Sequence, residues 1–173
     1  MPTILFVCTA NICRSPVAQA LFADWVRRQD LPGDWQVLSA GTWAEPGAEA
    51  ANYAREVLGE QGLNLAAHRA QVVDKALMAR ADLVLCMTRS HLEALRAEFP
   101  QRARSVALLS NMVGGSYDVA DPYGGPRRGY VTMVNELRDL IEQGGARIVA
   151  VATSVATDGA SPKADEADMQ RGS

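Results

Sequence analysis

Short, wholly apolar runs alternate along this chain with longer stretches whose apolar residues recur every three or four positions. The first run, Thr3-Ile-Leu-Phe-Val-Cys8, predicts a buried strand. Pro16 followed by Val17, Ala20, Leu21 and Trp25 predicts a helix to about Arg28, broken by Pro32-Gly33. Gln36-Val-Leu-Ser39 predicts a second strand ended by Gly41, and Ala48 to Gln61 a helix closed by Gly62. A connection over 63–71 leads to a short helix from Val73 to Ala81. Asp82 to Met87 predicts a third strand, Ser90 to Phe99 a helix stopped by Pro100, and Ser105 to Leu109 a fourth strand. Residues 111–127 are rich in Gly, Asp and Pro and predict a loop. Gly129 to Glu142 predicts the last helix, ended by Gly144-Gly145. Residues 146–153 fit either an edge strand or a helix extension. From Ser154 onward large apolar residues are almost missing, which predicts a disordered tail over 154–173.

Strands alternating with helices imply parallel β-α units and an α/β three-layer sandwich. The length of 173 residues fits one domain, placed here at 1–145. Ligands of such sheets bind at the carboxyl ends of the strands.

Charge narrows the function. The net charge is −3 and the isoelectric point about 5.4, against a nucleic-acid partner, which calls for a basic face. A few local donors still hold one phosphate in an acidic protein. No apolar stretch approaches the ~18 residues of a membrane span, and Met1-Pro2-Thr3-Ile4 lacks the basic start of a secretory signal. Three cysteines make no disulfide framework, so the expected compartment is the reducing cytoplasm.

The first strand runs directly into Cys8-Thr9-Ala10-Asn11-Ile12-Cys13-Arg14-Ser15. A cysteine, five residues and an arginine, set between a strand end and a helix start, make a phosphate cradle. Backbone N–H groups point outward unpaired there and the helix dipole favours an anion. Arg14 offers a planar fork of donors matched to two phosphate oxygens. The thiolate is the reactive form of cysteine, and Ser15 is placed to donate a hydrogen bond to it. Cys8 is therefore the candidate nucleophile, forming a phosphocysteine. Cys13 either packs as a small apolar group or forms a disulfide with Cys8 under oxidation.

A leaving oxygen needs a proton. Asp121, in Asp121-Pro122-Tyr123-Gly124-Gly125, is the candidate general acid, because Pro122 stiffens the loop and fixes where the carboxyl points. An Asx-turn role is the competing use of this residue, and Asp118 is the competing carboxylate.

These residues together resemble the low-molecular-weight protein tyrosine phosphatases. The resemblance covers about residues 3–143. It is anchored by the loop from Val7 to Pro16 and by Asp121 to Gly125, with Leu38–Thr42, Ala67–Arg69 and Ala81–Thr88 between. It implies a four-stranded parallel sheet flanked by helices, a phosphorylated protein as partner, and a two-step reaction without metal or cofactor. By the same resemblance Asn11 shapes the loop, with Ser39 and His68 holding it from behind. Ile12, Trp43 and Tyr123 become walls of the substrate slot. Ala10 stands where the family usually has glycine, and it would strain the loop if that position required φ > 0. Gly124 follows Tyr123 where animal members often carry a second aromatic.

Bacterial relatives divide into phosphotyrosine phosphatases, protein arginine phosphatases and thioredoxin-coupled arsenate reductases. The reductases need two more cysteines in relay, and Cys86 stands alone. The arginine phosphatases carry threonine at the position of Ile12, whose apolar face instead suits an aryl ring. The expectation is therefore phosphotyrosine hydrolysis, with phosphoarginine as the alternative. A phosphate-binding or redox module without turnover is the non-enzymatic alternative. Oligomeric state is not legible.

Overall fold

The two inner strands form where residues are buried on both faces. In the computed structural model, which describes residues 1–158, β1 (Thr3–Cys8) is buried at every position. It is the second strand of a four-stranded parallel sheet ordered β2-β1-β3-β4, with β2 at Gln36–Gly41, β3 at Leu83–Cys86 and β4 at Val106–Leu108. A strand with neighbours on both sides and helices above and below reads as a continuous apolar run. Ile4 and Phe6 face one core with α1 (Arg14–Arg28), α2 (Asn52–Glu60) and α5 (Arg127–Asp158). Leu5 and Val7 face a second core with α3 (Lys75–Arg80) and α4 (Arg89–Glu98). This is the expected three-layer sandwich.

Element ends differ from the pattern for local reasons. Helix α1 starts at Arg14, ahead of Pro16, which sits in the first turn where no backbone donor is needed. Residues 48–51 do not join α2, because Ala48 O accepts from Ala70 N (2.8 Å) and Gly47 N donates to Ala70 O (2.9 Å). Helix α3 starts at Lys75 because Asp74 caps it, accepting from Leu77 N at 2.8 Å. Short 3-10 turns at Pro100–Ser105 and Leu109–Val113 flank β4.

The largest correction concerns Gly144-Gly145. They do not end the last helix. α5 continues through them to Asp158, so residues 146–153 are a helix extension, and the 1–145 boundary cuts a continuous element. A Cβ on Gly145 would lie 2.5 Å from the Trp25 ring, and one on Gly144 3.0 Å from Met112 Cβ. The glycines let α5 pack closely on α1 and the turn after β4. Of the predicted disordered tail, residues 154–158 complete α5, and 159–173 lie outside the described residues. Among the described residues no helix is long and apolar enough to cross a membrane.

Candidate active site

The parallel sheet brings one set of strand ends to a common edge, and β1 delivers Cys8 there. Gly41, at the end of β2, pairs with Cys8. A Cβ at Gly41 would fall 2.3 Å from Thr9 O and 3.0 Å from Asn11 N, so only glycine admits the loop this close. The loop then turns through Asn11, whose φ is +57°, a left-handed conformation that Asn tolerates better than most residues. The left-handed position is thus Asn11 and not Ala10, and the strain anticipated for Ala10 does not arise. Helix α1 opens at Arg14, and no Cys13 side-chain bond caps its first amides. Those amides stand at the loop as anion donors.

A chain of hydrogen bonds fixes the polar groups beneath the loop. Gln71 N, which can only donate, gives its proton to Asn11 Oδ1 (3.0 Å), and this sets the amide orientation. Asn11 Nδ2 then donates to Ser15 Oγ (2.8 Å) and Ser39 Oγ (2.9 Å). Ser39 Oγ donates to Gln19 Oε1 (2.6 Å), and Gln19 Nε2 to Val37 O (2.9 Å). Ser15 Oγ lies 3.0 Å from Cys8 Sγ. Having accepted from Asn11, Ser15 has its own proton for the sulfur, Ala40 O being farther at 3.4 Å. His68 Nε2 donates to Asn11 O at 2.7 Å, and burial pushes this imidazole below the ordinary histidine range.

Arg14 is buried and reaches across the sheet edge. Its Nη1 donates to Val119 O (3.0 Å), Nη2 lies 3.2 Å from Asp121 Oδ2, and Nε is buried without a partner among the described residues. Val119 N donates in turn to Met87 O (2.9 Å), which pins the acid-bearing loop to the end of β3. Asp121 Oδ1 accepts from Tyr123 N at 3.1 Å, so the residue does form an Asx turn while its other oxygen faces Arg14. Asp118 is elsewhere, accepting from Arg89 N (2.8 Å) at the start of α4.

A cleft of about 140 Å³ opens over this floor, lined by Cys8, Thr9, Ala10, Ile12, Cys13, Arg14, Asp121 and Tyr123. That volume takes one phosphoryl group and the first atoms of its ester. Trp43 is not among the lining residues: its backbone N donates to Thr9 O (2.9 Å), while its side chain stands exposed. Cys13 Sγ donates weakly to Tyr130 Oη at 3.8 Å, and burial pushes its thiol up to about 11. Cys86 lies in the core on the opposite face of the sheet from Cys8, its thiol pushed up to about 12 by burial.

Sequence reasoning missed four members of this constellation. Gln19 and Gln71 orient Asn11 and Ser39, Tyr130 backs Cys13, and His91 contacts the loop itself, its Nε2 2.8 Å from Thr9 Oγ1. Only His91 carries a sequence signal. Thr88-x-x-His91, directly after the third strand, is a capping pattern at the same sheet edge.

Residues 3–158 match the family model described as low molecular weight phosphotyrosine protein phosphatase. The chain is 41% identical over 141 residues to a protein-arginine-phosphatase of Geobacillus stearothermophilus, covering 81% of this chain and 91% of that one. It is 40% identical over 142 residues to a probable low molecular weight protein-tyrosine-phosphatase, EpsP, of Ralstonia nicotianae, covering 82% and 90%. A crystal structure of a YwlE mutant from Bacillus subtilis superposes with a TM-score of 0.81 at 36% identity, covering 86% of this chain and 99% of that one. With the match running from β1 to the end of α5, this chain belongs to the low molecular weight phosphotyrosine protein phosphatase family.

Proposed function

We propose that this protein hydrolyses phosphotyrosine on proteins through a phosphocysteine, without a metal. The observation that carries the reading is the 3.0 Å pairing of Cys8 Sγ with Ser15 Oγ, on the floor of a cleft that Arg14 and Asp121 also line. The substrate phosphate takes the first amides of α1 and the unpartnered Nε of Arg14. In the first step the Cys8 thiolate attacks phosphorus, the bond to the ester oxygen breaks, and Asp121 gives that oxygen its proton. In the second, Asp121 takes a proton from water. The hydroxide oxygen bonds to phosphorus, the S–P bond breaks, and thiolate and phosphate are released. Arg14 holds the equatorial oxygens throughout. Cys8, Cys13 and Cys86 are all free, which suits a reducing cytoplasm.

Substrate preference rests on Ile12 and Tyr123, an apolar and an aromatic wall suited to an aryl ring. The relative from Geobacillus stearothermophilus favours a second reading, phosphoarginine. Parallel turnover of phosphotyrosine and phosphoarginine peptides in EDTA separates the two. The expected result is preference for phosphotyrosine, a shift toward phosphoarginine in Ile12→Thr, and activity below detection in Cys8→Ser. Preference for phosphoarginine in the wild type overturns the substrate assignment. Full activity of Cys8→Ser overturns the mechanism.

A further inference from the structure

We propose that His91 is a positioning residue that turns the Thr9 hydroxyl proton into the Cys8 cleft, making Thr9 a side-chain donor to the bound phosphoryl group. This role rests on the phosphatase reading of the Cys8 site, and the donors and acceptors around the ring assign it. Thr88 N lies 3.2 Å from His91 Nδ1, and a backbone N–H can only donate, so Nδ1 is the acceptor. The hydroxyl of Thr88, 3.0 Å away, faces the same nitrogen. The ring proton therefore sits on Nε2, which donates to Thr9 Oγ1 across 2.8 Å. Thr9 Oγ1 accepts that proton and keeps its own, and no other partner takes it among the described residues. Thr9 is exposed and lines the cleft, so its proton is free for an anionic oxygen there.

The imidazole is suited to this task because it stays neutral. It is buried at the start of α4, and burial, followed by the charge of Arg14, pushes it down to about 4, with Asp118 and Asp121 acting weakly the other way. A doubly protonated ring would set two N–H groups of like sense, Nδ1 and Thr88 N, against each other.

The test compares wild type with Thr9→Val, His91→Phe, the double variant and His91→Gln. It reads kcat, KM, inhibition by inorganic phosphate, and calorimetric phosphate binding, with melting temperature recorded. A lost hydrogen bond to a charged group corresponds to about a tenfold or greater fall in kcat/KM. That fall is expected in Thr9→Val, matched in His91→Phe, and no deeper in the double variant, with phosphate binding weakened in step. His91→Gln keeps an amide donor at the Nε2 position, and activity is expected to recover toward wild type. If Thr9→Val changes neither kcat/KM nor phosphate binding by twofold, the proposal fails. It also fails if the two losses multiply in the double variant, the signature of a merely structural His91. Should His91→Phe not fold, Thr9→Val and His91→Gln decide alone. A wild type that binds phosphate without hydrolysing esters would overturn the enzyme reading, leaving the phosphate-binding arm to judge this one.

Discussion

Asn11 commits its side chain to Gln71, Ser15 and Ser39, and its backbone to a left-handed turn that costs an ordinary L-residue roughly 1–2 kcal/mol. The return is a serine hydroxyl aimed at sulfur. Asp121 supports a prediction at the same scale. Asp121→Asn keeps the shape of the side chain but has no acidic proton to give. Its kcat/KM, set by the first step, is expected to fall by about 10²–10⁴ on esters with poor leaving groups and much less on p-nitrophenyl phosphate. The dependence of log kcat/KM on leaving-group acidity measures this, and a uniform loss in kcat/KM would assign Asp121 another role. Cys8, Arg14, Ser15 and Asp121 were legible because chain spacing places three on one loop and a proline marks the fourth. His91 and Gln71 were not, since each acts through a contact 60 or more positions away that no local pattern encodes. Trp43, expected as a wall of the slot, stands exposed beside the loop, as Tyr123 does.

At the level of elements, strands were easier to read than helix ends. An apolar run buried on both faces has one good solution, and all four strands appear where the pattern put them. A glycine pair has two. It ends a helix in solution, but it also lets two helices approach, and the sequence of α5 does not say which. Gly145→Ala separates the two. In a free helix the change would gain about 1 kcal/mol. Here the new methyl meets the buried Trp25 ring, and overpacking costs about 1–3 kcal/mol. The variant is therefore expected to be less stable than wild type, as measured by urea midpoint. A stabilised variant would mean that α5 stands off from α1.

The whole molecule feels pH through its two histidines, His68 and His91, both held below the ordinary range by burial. Above about pH 6.5 both are neutral, folded or unfolded. Below it the unfolded chain takes up protons that the fold refuses, so stability falls as pH drops from about 6.5 toward 4. Melting temperatures across that window are expected to decline, and His91→Gln to flatten the decline. An unchanged slope would mean that His91 protonates as readily in the fold as outside it. Arg14 settles on Val119 O, a carbonyl 105 positions further along. During translation Arg14 leaves the ribosome long before its anchor, and the guanidinium cannot settle until residue 119 has emerged and docked. The cradle around Cys8 is thus completed only when the sheet edge closes, so the nascent chain carries the sulfur without the donors that make it a nucleophile.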